Sequence, residues 1–135
     1  MKTTGTFRFK RSLLIDDNEI DNFINERIIS SSNFSETCVV KMSTDAAIEY
    51  LNSLNDQEDL LPQIIFLDLN MPVKDGFVFL ELFNSLSEKI KSISKIIVLS
   101  SSISPEDINR ASANPHVIRY LNKPLSEKYL EAIES

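Results

Sequence analysis

Ile64-Ile65-Phe66-Leu67-Asp68-Leu69-Asn70-Met71-Pro72 is the stretch on which the fold turns. Four apolar residues run unbroken into an acid, and a turn-forming Asn and Pro follow. A short continuous apolar run closed by polar and turn residues is the pattern of a strand covered on both faces in a parallel sheet. The same pattern recurs on either side of it, in Ser12-Leu13-Leu14-Ile15, Thr37-Cys38-Val39-Val40, Ile96-Ile97-Val98-Leu99 and Val117-Ile118-Arg119-Tyr120-Leu121. Between these runs the period changes. Ile20, Phe23, Ile24 and Ile28 fall on one helical face. Ala47, Leu51 and Leu54 repeat that spacing after an N-cap at Ser43 or Thr44. Phe77, Leu80 and Phe83 follow Gly76, which suits the backbone turn after Met71-Pro72. Ser104-Pro105-Glu106-Asp107 combines a capping Ser, Pro at the first helical position and acids in the first turn. A last helix opens at Leu125, after Pro124. The order βαβαβαβαβα predicts an α/β fold, a doubly wound five-stranded parallel sheet with helices on both faces.

Composition agrees and narrows the function. A chain of 135 residues with 42% hydrophobic and 25% charged residues is long enough for one globular domain without a metal or disulfide staple. Lys and Arg number 14 against 20 Asp and Glu, a net charge of -6. That balance argues against a nucleic-acid partner, whose phosphates need cations, and against an anionic membrane surface. No apolar run approaches the ~20 residues of a membrane span, and the N-terminus has no apolar signal core, so the expected compartment is the cytoplasm. Residues 1–9 read as a short extension and 10–135 as the domain. Cys38 is the only Cys and reads as a small buried hydrophobe. His116, the only His, reads as a surface loop residue.

In a doubly wound sheet the chemistry lies past the carboxyl ends of the strands. Strand one ends in Asp16-Asp17, strand three in Asp68, strand four in Ser100 and strand five in Lys123. Three carboxylates gathered at one edge repel one another, and a bound cation resolves the conflict. An all-oxygen set without Cys or His selects a hard ion, Mg²⁺ (or Mn²⁺), which also bridges phosphoryl oxygens. The Lys123 ammonium suits a phosphate, and the Ser100 hydroxyl can donate to one. Aspartate can accept a phosphoryl group as an acyl phosphate, which makes Asp68 a candidate nucleophile. Each residue alone reads as an ordinary cap or turn; their coincidence at four strand ends carries the signal.

At these positions the chain resembles the receiver domain of two-component response regulators, from about Lys10 to Ile133. The matching pieces are Leu13-Leu14-Ile15-Asp16-Asp17, Phe66 through Pro72, Asp75-Gly76, Ile97-Val98-Leu99-Ser100 and Tyr120-Leu121-Asn122-Lys123-Pro124. The resemblance implies a flavodoxin-like, CheY-like (βα)5 fold with strand order 2-1-3-4-5. It implies that Asp68 accepts a phosphoryl group from the phosphohistidine of a sensor histidine kinase or a histidine phosphotransfer protein. Asp17 would bind Mg²⁺ directly and Asp16 directly or through water. Asp68 itself and the backbone carbonyl of Asn70 would complete the protein ligands, and Lys123 would pair with the acyl phosphate. Ser100 and Tyr120 would be the switch pair, read by an unknown downstream protein on the face formed by the fourth helix, fifth strand and fifth helix.

Many members of that family have Gly-Ala just before strand five, where this chain has Ala113-Asn114-Pro115-His116, a difference expected to stiffen the end of the fourth helix and alter the output face. The chain ends about where the fifth helix does, so a stand-alone signalling protein is expected, with self-catalysed phosphoryl transfer and slow autodephosphorylation as its only chemistry. The alternatives are a phosphorelay intermediate, a Mg²⁺-dependent aspartyl-phosphate phosphatase, a flavin binder and a receiver that binds partners without phosphorylation. The phosphatase pattern Asp-x-Asp-x-Thr is broken here by Asn70 and Pro72, and Asp16-Asp17 would repel a flavin phosphate.

Overall fold

The computed structural model describes residues 7–133. Five strands, β1 (Phe9–Ile15), β2 (Ser35–Lys41), β3 (Ile64–Leu67), β4 (Lys95–Ser100) and β5 (Val117–Asn122), form one sheet in the order β2-β1-β3-β4-β5. All four pairings are parallel. Six helices connect and follow them: α1 (Glu19–Ser31), α2 (Thr44–Ser53), α3 (Gly76–Asn84), α4 (Glu88–Ile93), α5 (Pro105–Ser112) and α6 (Glu127–Glu131). The strand order and the helices on both faces are those expected. β1 starts at Phe9, inside the stretch read as an extension, and residues 1–6 of that stretch lie outside the described residues.

Side chains alternate across a strand, so one apolar run feeds two cores. Leu13, Ile15, Ile65, Leu67 and Ile96 pack beneath α2, α3 and α4 with Leu51, Phe79, Phe83 and Ile90. Leu14, Ile64, Phe66, Ile97 and Leu99 face the other way and meet Ile29 of α1 and Leu130 of α6. β3 is buried at every position, whereas the edge strands β2 and β5 are only partly covered. Cys38, on edge strand β2, is accordingly half-buried rather than fully buried, and desolvation raises its thiol pKa to about 11. His116 stands at the head of β5 with its ring edge-on to Phe83, 5.4 Å between centroids.

Each helix begins on a side-chain cap: Asn18, Ser43, Asp75, Ser87, Ser104 and Ser126 accept from the backbone N–H three residues on. The helix α4 had no counterpart in the sequence reading. At six residues it spans under two turns, too short to display a period, although Ser87 caps it and Ile90 is fully buried.

Two readings need correction. Only the C-terminal end of the apolar stripe of α1 meets the core, where Ile28 packs part-buried against it; Ile20 is 70%, Phe23 61% and Ile24 44% exposed. The inward face carries Asn22, Asn25 and Ile29 instead. Asn22 is drawn in by a polar tie, its Nδ2 donating to the Asp16 carbonyl at 2.9 Å. The second correction concerns the turn after Met71-Pro72. Gly76 does not have a positive φ; that conformation falls on Val73, at φ 66°. Gly76 is needed for space, since a Cβ there would lie 2.6 Å from the Asp68 carbonyl oxygen.

A β-branched residue in the left-handed region is strained, and the Val73 side chain is 100% exposed, so no burial offsets the cost. Val73→Asn is expected to stabilise the domain by about 0.5–1 kcal/mol, because Asn tolerates this region. Chemical denaturation of the two proteins side by side checks this; a lower midpoint for the variant would assign Val73 a contact that offsets its strain.

Candidate functional site

The three central strands end beside one another and set the site. The register pairs Ile15 with Leu67 and Leu67 with Val98, so Asp16 and Asp68 leave adjacent strand ends together. Asp16, Asp17 and Asp68 each offer a carboxylate oxygen within 4.8 Å of the others. Asp16 and Asp68 are buried, at 1% and 4% exposure, and Asp17 is the least buried of the three. Because Asn18 caps α1, with its Oδ1 accepting from the Asp21 N–H at 2.9 Å, neither Asp16 nor Asp17 is consumed as the helix cap. Asp16 Oδ1 accepts from the Asn18 N–H at 3.0 Å, which fixes its rotamer.

Lys123 arrives from the end of β5. Its backbone N–H donates to the Ser100 carbonyl at 2.9 Å, tying the end of β5 to the end of β4. Its ammonium donates to Asp16 Oδ2 at 2.7 Å and to Asp21 Oδ2 at 2.9 Å, and stands 3.6 Å from Asp68 Oδ1. Burial opposes the charge on Lys123, but the hydrogen bonds to Asp16 and Asp21 and the nearby Asp68 outweigh it and lift its pKa above that of an ordinary lysine. Asp68 moves the other way for a carboxylate. Desolvation first, then repulsion from Asp16, raises it to about 6, against the pull of Lys123 and the Asn70 backbone N–H. Among the described residues Asp68 Oδ1 is buried without a hydrogen-bond partner.

Crowded carboxylates, an orphaned buried oxygen and no nitrogen or sulfur ligand fit a hard divalent cation. Asp16, Asp17 and Asp68 would hold it. Asn70, at the mouth of the β3–α3 loop, is exposed.

Ser100 is also buried, at the end of β4, and its Oγ accepts from the Ser102 N–H at 3.1 Å. In this arrangement its hydroxyl belongs to the β4–α5 loop. Tyr120 lies on β5, its ring against the cluster of Leu69, Val98 and Ala111, and its hydroxyl donates to the Ser102 carbonyl at 3.0 Å. Asn122 Nδ2 donates to the same carbonyl at 3.0 Å. Thus Asp16, Asp17, Asp68 and Lys123 are brought together directly, while Ser100 and Tyr120 meet through the loop carbonyl and amide of Ser102. Sequence reasoning missed Asp21 and Asn122. Asp21 lies one turn beyond Asp17, on the side of α1 that faces the sheet end, and that spacing is the signal that would have found it.

A doubly wound sheet with an acidic triad and a lysine at its carboxyl edge defines a phosphoryl-accepting signalling domain as a class. The sequence matches the response regulator receiver domain over residues 13–134, and the chain belongs to that family. A probable methanogenesis regulatory protein, FilR2, from Methanothrix harundinacea is 33% identical over 114 residues, covering 84% of this chain and 72% of that one. The solved structure of a two-component response regulator from Cytophaga hutchinsonii superposes with a TM-score of 0.84 at 37% identity, over 90% of this chain and 91% of that one. The Mn(2+)-bound form of response regulator Rcp1 superposes with a TM-score of 0.74 at 27% identity, over 93% of this chain and 92% of that one. Rcp1 of Synechocystis sp. is 29% identical over 119 residues, 87% of this chain and 79% of its own length. Receiver domains take phosphoryl groups from histidine kinases or phosphotransfer proteins and bind a divalent metal. Among the described residues no helix is long and apolar enough to cross a membrane.

Proposed function

We propose that Asp68 accepts a phosphoryl group from the phosphohistidine of a sensor histidine kinase or a histidine phosphotransfer protein, in a Mg²⁺-dependent reaction in the cytoplasm. The observation that carries this is the buried Asp68 carboxylate, with an unpartnered oxygen, flanked by two acids and one ammonium. In the transfer a carboxylate oxygen of Asp68 attacks phosphorus, the P–N bond breaks, and its electron pair returns to the histidine ring. Asp16, Asp17 and Asp68 would hold a divalent cation, which would supply charge neutralisation for the transferred group. Lys123 provides a further positive charge 3.6 Å from Asp68 Oδ1, and Ser101, beyond Ser100, is exposed and small, which keeps the approach open. Ile24 lines a cavity with Asp21 and Lys123, and with Ile20 and Phe23 it leaves exposed apolar area on α1 against which a phosphoryl donor protein can seat.

The new charge is about −1.5 to −2 with three acceptors. The reading assigns the Ser100 hydroxyl to one of those acceptors, away from the Ser102 amide, with Tyr120 following the loosened loop. The face it changes is α5, β5 and α6, where Ile118 and Tyr129 are exposed. The chain then works as a switch read by protein contact, and its only catalysis is on its own phosphoryl group.

Incubation with acetyl phosphate and Mg²⁺ followed by intact-protein mass spectrometry tests the reading. One hydroxylamine-labile phosphoryl group per chain is expected. Phosphate on Ser or Thr, or steady turnover of unrelated phosphoesters, would overturn it. Asp17→Ala removes one of three carboxylate ligands, and Mg²⁺ affinity is expected to fall by ~10-fold or more, as read by NMR shift titration. Undiminished affinity would reject Asp17 as a ligand.

A further inference from the structure

The Lys123 ammonium has three N–H donors. One goes to Asp16 at 2.7 Å and one to Asp21 at 2.9 Å, while Asp68 Oδ1 stands at 3.6 Å, outside hydrogen-bond range and without another partner. The charge the acceptor needs is therefore held on the α1 side of the site, just short of it. Its two anchors differ in kind. The Asp16 side chain is 2% exposed and the Asp21 side chain 36%. A buried pair resists separation, whereas a pair open to water is weak and exchanges readily. Asp21 also borders a cavity of about 230 Å³ with Ile24, Asn25, Lys123 and Pro124, so water can take the place of the ammonium when it leaves.

We infer that Asp21 is a positioning residue for Lys123, a releasable anchor that competes for the ammonium with whatever group Asp68 carries. The inference rests on the acceptor reading above. A phosphoryl group on Asp68 presents three oxygens to the ammonium, and Asp21 is the partner that yields. Removing the Asp21 charge while keeping a side-chain acceptor tips that competition toward Asp68. A longer acid at the same position keeps it as it was.

The test uses beryllofluoride, an anion of phosphoryl shape and charge, bound at saturating Mg²⁺ and followed by 19F NMR, with Mg²⁺ affinity measured separately by shift titration. Asp21→Asn and Asp21→Ser are each expected to bind beryllofluoride about two- to five-fold more tightly than wild type, the range a partly exposed ion pair supports. Mg²⁺ affinity is expected to stay within about two-fold, and Asp21→Glu to return beryllofluoride binding to the wild-type value. Equal or weaker beryllofluoride binding by a folded charge-removed variant overturns the inference. So does tightening that Asp21→Glu shares. A wild type that binds no beryllofluoride at all fails the acceptor reading instead, so the two failures are distinguishable.

Discussion

Asp68→Asn is expected to abolish the phosphoryl adduct and to make the metal-free protein more stable above pH 6. The first effect follows from chemistry, because a carboxamide oxygen is a poor nucleophile and yields no acyl phosphate. The second follows from the electrostatics of the site. The Asp68 carboxyl is raised from 3.8 to about 6 by desolvation and by Asp16. A carboxyl whose folded pKa lies above its unfolded value binds the proton more tightly in the fold, so stability falls as pH rises through that window. Its contribution is whole below pH ~3.8, shrinks between there and pH ~6, and is gone above, where the ionised carboxylate is a standing penalty. Allowing for screening at the open side of the site, that penalty is about 1–2 kcal/mol. The amide removes it, and Lys123 keeps its bonds to Asp16 and Asp21. Thermal melts in chelator should show the variant ahead by ~5 °C at pH 8 and level with wild type near pH 4. Added Mg²⁺ should stabilise wild type more than the variant, since the cation relieves the same repulsion. Coincident melts at pH 8 would show that the fold bears no such penalty, and a labelled variant would move the acceptor to another residue.

Strand ends were legible because their physics is local. An apolar run stops where a polar residue must leave the sheet, so Asp16, Asp68, Ser100 and Lys123 could be placed without knowing any long-range contact. The doubly wound alternation then carried them to one edge. What the sequence hid depended on partners in three dimensions. The period of Ile20, Phe23 and Ile24 correctly announces a helix, but a stripe does not say which way it faces. Those three are exposed, and the inward face next to them carries Asn22, tied by its Nδ2 to the Asp16 carbonyl. The Asp21–Lys123 pair joins residues 102 positions apart, and only the folded sheet brings them within reach. Ser100 illustrates a further limit: its place at the end of β4 was readable, whereas the engagement of its hydroxyl by the Ser102 amide was not. Gly76 was rightly marked as special for the wrong reason, since turn chemistry suggested a backbone angle and the structure shows a lack of room.

That distinction fixes the sign of a second large effect. If Gly76 were only a flexible residue at a helix start, Gly76→Ala would stabilise the domain by about 0.5–1 kcal/mol, by restricting the unfolded chain. Its φ is compatible with Ala, so nothing in the backbone angle forbids the change. A Cβ, however, would lie 2.6 Å from the Asp68 carbonyl oxygen, 2.7 Å from Leu69 Cα and 2.9 Å from Leu69 Cδ2. Two of these are backbone atoms at the end of the central strand and cannot rotate away. The Gly76 N–H also donates to the Leu69 carbonyl at 3.0 Å, which holds α3 against the loop. A methyl group there must push α3 off the strand end or displace the peptide that carries Asp68, and overpacking of this kind costs about 2–3 kcal/mol. Because small domains are stable by only ~5–15 kcal/mol, the melting temperature is expected to drop by roughly 10 °C. The displacement reaches the site as well: at temperatures where the variant is fully folded, Mg²⁺ affinity should fall, because the Asp68 peptide no longer sits in register with Asp16. A variant that melts above wild type would show that the close approach of α3 to β3 relaxes at little cost.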